Sequence, residues 1–223
     1  MSAPTSSVGP ALESGLQTRL ANLFDEGCDL WNRFDLEVRQ KSFHPFVAAD
    51  YDVVLEALLP LRAPGVRFLE WGSATGVITI MADLLGFEAY GIEIDDHLVG
   101  CARDLTARSG SGAQFAGGSF LPSGYRSRRN HDGRLGTIGY GSSGYLDLGI
   151  PLDDFDIVFG YPWSGEEPIM LDLMNRYGRV DARLLLNSTS GGVTSYEGGK
   201  VVDGSGELHL GSRTRSPSSQ RGS

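Results

Sequence analysis

One short stretch restricts the fold more than any other. Val66-Arg67-Phe68-Leu69-Glu70 is a largely apolar run, and Gly72-Ser73-Ala74-Thr75-Gly76 follows it as a glycine-bearing turn. From Val77 to Leu85 the apolar residues then take helical spacing, with Gly86 placed to end the helix. A strand that runs through a tight glycine turn into a helix is half of a strand–helix–strand unit, and such a unit returns to a parallel neighbour. The neighbour is legible as Ala89 to Ile94. Asp95 or Asp96 can cap the next helix, whose buried face carries Leu98, Cys101, Ala102 and Leu105.

The alternation continues. Gln114-Phe115-Ala116 reads as a weak third strand, Phe155 to Phe159 as a strong fourth, Pro168 to Tyr177 as a helix and Ala182 to Leu186 as a fifth strand. The predicted fold class is therefore α/β, a Rossmann-like parallel sheet with helices on both faces. Three segments lie outside this pattern. Residues 1–62 form an N-terminal helical cap: Leu12, Leu16, Leu20, Leu23, Leu30, Trp31 and Phe34 mark a helix with a possible break near Gly27, and Val53 to Leu59 mark another. Its first ten residues are small and polar and read as disordered. Within the α/β part, residues 63–202, the insertion 119–153 is rich in Gly and Ser and weakly periodic, which is unusual inside a compact domain. Residues 203–223 read as a disordered Ser/Arg/Gly tail. After the fifth strand there is room for a hairpin, Gly192 to Tyr196 with Lys200 to Val202, and little for a helix. The end of the sheet is thus expected to be abbreviated or completed by another chain.

Composition narrows the function classes. Over 223 residues the formal net charge is −9, which disfavours nucleic acid as a partner because such affinity rests on basic charge. Arg126, Arg128, Arg129 and Arg134 nonetheless gather in one loop, which reads first as a solvated segment. No leader pattern and no membrane-length apolar run is read, so the expected location is cytoplasmic. Cys28 and Cys101 read as small buried residues of a reducing compartment. No Cys/His cluster has metal-ligand spacing, and no metal is expected.

The chemistry concentrates on the first two strands. A glycine turn between strand and helix brings backbone N–H groups and a helix N-terminus toward a ligand. Glu93 ends the second strand 21 residues after Gly72, where a carboxylate can accept from both hydroxyls of a ribose. Dinucleotide sites want glycine at the positions of Gly72, Ala74 and Val77, and two of the three depart from that pattern. Glu70, two residues before the turn, suits a cationic amino group and would repel a pyrophosphate.

These residues resemble the first motif of the class I S-adenosylmethionine (SAM)-dependent methyltransferases, and the similarity spans residues 66–163. It implies that Glu70 faces the methionine end of SAM, that Gly72, Ser73, Ala74 and Gly76 wrap it, and that Glu93 and Ile94 line the ribose. It also implies that Ser119 and Phe120 meet the adenine, with Ser119 standing where aspartate is common. At the fourth strand, Asp156-Ile157-Val158-Phe159-Gly160-Tyr161-Pro162-Trp163 keeps the Pro-aromatic half of the Asn/Asp-Pro-Pro-Tyr motif of nitrogen methyltransferases. Asp156 is expected at the cofactor, and Tyr161, Pro162 and Trp163 at the methyl acceptor. Candidates for taking a proton are His44, Asp156, Tyr161 and His131. The implied activity is SAM-dependent methyl transfer to an unidentified acceptor, a small molecule or protein side chain with nitrogen as one option. The alternatives are a non-catalytic SAM- or nucleotide-binding module and, third, a nicotinamide-dependent oxidoreductase.

Overall fold

The structure, a computed structural model, describes residues 12–42, 44, 46–126, 141–163, 165–188, 191–198 and 200–203. The remaining residues include most of the basic loop with Arg128, Arg129, Arg134 and His131, and nearly all of both termini. Expectations about them lie outside the described residues.

The strands are β1 (Arg67–Trp71), β2 (Glu88–Glu93), β3 (Gln114–Gly117), β4 (Ile157–Gly160), β5 (Arg183–Asn187), β6 (Val193–Glu197) and β7 (Lys200–Asp203). They form one seven-stranded sheet in the order β3-β2-β1-β4-β5-β6-β7. All pairings from β3 to β5 are parallel, and the last two are antiparallel. The chain moves outward from β1 to β3, then crosses back to lay β4 on the other side of β1. That reversal opens a crevice at the carboxyl ends of β1 and β4, the usual ligand position in such sheets.

The helices are α1 (Ser14–Phe34), α2 (Tyr51–Leu58), α3 (Val77–Leu84), α4 (Asp96–Ser109), α5 (Tyr145–Leu148) and α6 (Glu167–Tyr177). They cover the sheet on two faces, as its alternating side chains require. On one face Phe68, Ile157, Phe159 and Leu185 meet Leu20 and Leu23 of α1, Val54 and Leu58 of α2, and residues of α3 and α4. On the other, Leu69, Trp71, Val158 and Leu186 meet Tyr145, Ile169, Met170 and Leu173. The described part of the N-terminal segment thus belongs to the same core as the sheet.

Three local expectations change. Helix α1 runs unbroken through Gly27 and ends in a π-helical turn, Asp35–Arg39. Gly27 is a close-approach residue: a Cβ there would lie 2.7 Å from Val77 Cγ2 on α3. The end of the sheet needs no second chain, because β6 pairs with β5 over five residues and β7 closes the hairpin. What is shortened is the connection: β6 begins at Val193, shortly after β5 ends at Asn187, and the described residues between them hold no helix. Finally, Cys28 is exposed and Cys101 half-buried, both as free thiols, so neither is a core residue.

Candidate functional site

Strand β1 delivers Glu70 and Trp71 to the crevice, and the chain then turns through three left-handed residues, Gly72 (φ 71°), Ala74 (φ 45°) and Gly76 (φ 80°). The turn docks on β2 through Gly72 N–H and Ser73 N–H, which both donate to Ile92 O. Ala74 holds a conformation that costs a β-carbon residue roughly 1–2 kcal/mol. Ser73 Oγ is buried without a hydrogen-bond partner among the described residues.

Two carboxylates brace this turn. Glu70 is buried, and its Oε2 accepts from both Thr79 N–H (2.9 Å) and Thr79 Oγ1–H (2.5 Å). Thr79 is the third residue of α3, so Glu70 satisfies one of the amide groups that every helix N-terminus leaves unpaired. The cap residue itself, Gly76, has no side chain to do so. Burial pushes the Glu70 carboxyl up from 4.5 to about 8, against the Thr79 hydrogen bonds, with Glu93 adding to the rise. Glu93 uses both oxygens: Ala74 N–H donates to Oε2 at 2.8 Å and Asp95 N–H to Oε1 at 2.9 Å. Burial raises its carboxyl as well, opposed by those backbone bonds.

The crevice encloses a cavity of about 400 Å³, in the range of small-molecule sites. Glu70, Gly72, Ser73, Ala74, Glu93, Ile94, Ser119 and Phe120 all line it, as do Tyr161, Pro162, Trp163 and His44. Phe120 stacks on Trp71 with ring centroids 5.2 Å apart. Ser119 sits where the end of the insertion is sewn back to the sheet, by Ser119 N–H to Ser142 O and Gly144 N–H to Ser119 O, both 2.9 Å. The described second half of the insertion carries α5 and a 3₁₀ turn, Leu152–Asp154.

Three sequence assignments change. Asp156 precedes β4, at the opposite end of the sheet from the cavity, where its Oδ2 accepts from Arg67 N–H at 2.8 Å and it pairs with Arg179. Its carboxylate serves the entry of β1 and is not brought to the ligand site. Gly76 does not line the cavity. A Cβ there would lie 2.6 Å from Phe115 Cζ, so it serves helix–sheet packing. His44 does line the cavity, but its Nδ1 accepts from Phe46 N–H (3.1 Å). Its Nε2 lies 3.3 Å from Asp95 Oδ2, and the tautomer that satisfies both contacts holds its proton on Nε2. These contacts tie the N-terminal segment to the cap of α4.

Sequence reasoning missed Glu166, Tyr51 and the stretch Phe46 to Ala49, all of which line the cavity. Glu166 had a signal in Gly165-Glu166-Glu167-Pro168, since acidic residues and proline favour the first turn of a helix. Among the described lining residues are four carboxylates, Glu70, Glu93, Asp95 and Glu166, and no lysine or arginine. The described residues contain no cluster that could hold a metal ion and no helix long and apolar enough to cross a membrane.

No protein-family model and no curated protein matches the chain by sequence. In structure it is similar to a precorrin-6y C5,15-methyltransferase from Geobacter metallireducens, with TM-score 0.45 and 17% identity over 66% of this chain and 65% of that one. It is similar to an RNA methyltransferase from Salinibacter ruber in complex with S-adenosyl-L-homocysteine, with TM-score 0.46 and 18% identity over 64% and 78% of the two chains. A tRNA (uracil-54, C5)-methyltransferase from Pyrococcus abyssi, also bound to S-adenosyl-L-homocysteine, gives TM-score 0.43 and 18% identity over 64% and 30%.

Proposed function

We propose that the chain binds SAM in the crevice at the ends of β1, β2 and β4, and that it is a SAM-dependent methyltransferase. The observation that carries this reading is the charge of the cavity: carboxylates at both ends of the glycine turn, and no lysine or arginine among the described lining residues. A cationic ligand favours the ionised form of these carboxyls, whereas the pyrophosphate of a dinucleotide would find no basic side chain to pair with. The residues fit SAM in kind. Glu70 takes the amino group, Gly72 to Ala74 wrap the methionine end, Glu93 and Ile94 hold the ribose, and Ser119 and Phe120 border the adenine. The buried, unpartnered Ser73 Oγ is a further polar atom within the turn.

When bound, SAM supplies a methyl group made electrophilic by its sulfonium. The protein's part is to hold, orient and dry the site, which can provide much of the rate without a protein nucleophile. Trp71, Phe120, Phe159 and Met170 provide the apolar wall, and Tyr161 to Trp163 border the space open to an acceptor.

Calorimetric titration with SAM, S-adenosylhomocysteine and NAD tests the reading. Binding of the first two without NAD is expected, and binding of NAD alone would overturn it. Tight SAM binding with no transfer to any member of a broad acceptor panel would assign a binding module in place of the enzyme.

A further inference from the structure

We propose that Glu166 is the acceptor-binding carboxylate of this site, and that the acceptor presents a cationic amino group to it. The inference rests on the SAM reading above and adds the class of the second substrate.

Glu166 immediately precedes α6, and its carboxylate folds back onto the turn before it. Trp163 N–H donates to Glu166 Oε2 at 2.8 Å, and Glu166 N–H donates to Trp163 O at 2.9 Å. The reciprocal pair fixes the side chain as a capping box would, although the partner is a loop. It spends only one oxygen. Glu166 is 7% exposed, and its Oε1 is buried without a partner among the described residues. Buried polar atoms in native proteins are nearly all paired, and an exception marks a place where something else supplies the partner. Glu166 lines the ligand cavity together with Tyr161, Pro162, Trp163 and Met170.

The neighbouring strand shows why a carboxylate is needed from this direction. In the motif that β4 resembles, a polar side chain stands at the position of Gly160 and accepts from the target amine. Here a Cβ at Gly160 would lie 3.0 Å from Met170 Sδ and 3.4 Å from Leu186 Cδ2, so the packing of α6 on the sheet crowds that position, and a side chain there would need Met170 to give by a few tenths of an ångström. The same helix brings Glu166 to the cavity one turn before Met170. Met170 N–H donates to Glu166 O, so the two are locked in register. The hydrogen-bond acceptor lost at 160 is thus replaced from the start of α6.

The charge of the partner follows. No lysine or arginine among the described lining residues can neutralise Glu166, and none could pair with a phosphate or carboxylate brought beside it. An ammonium brings both the missing donor and the missing charge; where the same nitrogen takes the methyl group, it first gives a proton to the Glu166 carboxylate, and the lone pair so freed forms the N–C bond as the methyl–sulfur bond breaks.

Sinefungin provides a test that does not require the acceptor. It is an S-adenosylhomocysteine analogue with an amino-bearing carbon in place of sulfur, so it carries a second ammonium in the place of the transferable methyl, facing the acceptor space. The readout is the ratio of S-adenosylhomocysteine Kd to sinefungin Kd, from calorimetry on the full chain. We expect the unaltered protein to prefer sinefungin by about 10- to 100-fold, the scale of a hydrogen bond to a charged group. Glu166→Gln should bring the ratio near one while S-adenosylhomocysteine Kd stays within about twofold. Glu166→Asp should keep part of the preference. Glu70→Gln weakens both ligands, because they share the methionine-end amine, and leaves the ratio in place. A ratio unmoved by Glu166→Gln overturns the proposal. Failure of the unaltered protein to bind S-adenosylhomocysteine at all overturns the SAM reading and the proposal with it. Where Glu166→Gln does not fold, Glu166→Asp decides: its shorter carboxylate should lower the ratio, and an unchanged ratio overturns the proposal.

Discussion

Glu70→Gln should stabilise the ligand-free protein, and by an amount that grows with pH. In the folded state burial lifts the Glu70 carboxyl from 4.5 to about 8. A carboxyl whose folded value lies above its unfolded value binds more protons in the native state across the interval between them. Stability therefore falls as pH rises from about 4.5 and levels off near 8. Each pH unit within that interval costs about 1.4 kcal/mol, so the loss is about 3 kcal/mol by pH 7 and about 5 kcal/mol beyond pH 8. Glutamine has the same shape and cannot ionise. Both hydrogen bonds from Thr79 end on one oxygen, Oε2, so the amide oxygen can take both. Urea denaturation of both proteins at half-unit steps from pH 5 to 8.5 gives the difference directly; Glu166 cancels in it, and Glu93 cancels apart from its coupling to Glu70. The expected difference climbs by about 1.4 kcal/mol per pH unit in favour of Glu70→Gln. Parallel pH profiles, or a variant less stable at pH 8, would refute the argument that Glu70 is held neutral by burial.

Binding should show the converse linkage. A cationic amine favours ionised Glu70, so S-adenosylhomocysteine affinity should rise by up to about tenfold per unit between pH 6 and 7.5, and Glu70→Gln should remove most of that slope in calorimetry. Ala74→Gly relieves a left-handed β-carbon residue, offset by the greater freedom of glycine when unfolded, and is expected to gain up to about 1 kcal/mol in thermal or urea denaturation. Gly76→Ala adds a Cβ 2.6 Å from Phe115 to a left-handed backbone, and should lose about 3 kcal/mol by the same measurement.

The sheet was legible because parallel strands buried on both faces read as apolar runs, and Phe155 to Phe159 is such a run. The glycine turn, Glu70 and Glu93 were legible because backbone geometry dictates residue type there. Asp156 misled because a strand has two ends: sequence places an acidic residue beside a strand but does not say whether it serves the entry or the ligand end. Gly27 misled for a related reason. A glycine in a helix reads as a break, whereas here it admits Val77 and Tyr51 from elements far along the chain. Glu166 was passed over because its significance lies in an unpaired oxygen and in Met170 filling the space at Gly160, neither of which has a sequence signature.

The two bracing carboxylates should respond differently to the same change. Glu70 spends one oxygen on two donors of a single residue, so an amide can replace it without loss. Glu93 spends one oxygen on Ala74 N–H and the other on Asp95 N–H. Glutamine has a single acceptor oxygen, so in either orientation its NH₂ faces a backbone donor. Glu93→Gln should then lose about 1–3 kcal/mol of stability from the unpaired amide, even though the substitution is isosteric. The loss should be local, because the freed donors belong to the glycine turn and to the residue capping α4. Hydrogen exchange is expected to rise at Ala74 and Asp95 while the amides of β4 and β5 stay protected. Glu93→Ala frees both donors and, on the SAM reading, the ribose hydroxyls as well, so it should weaken S-adenosylhomocysteine by at least about 1–3 kcal/mol. Equal stability of Glu93→Gln and the unaltered protein would mean that Glu93 does not hold the turn, and would leave its buried carboxylate to be explained by the ligand alone.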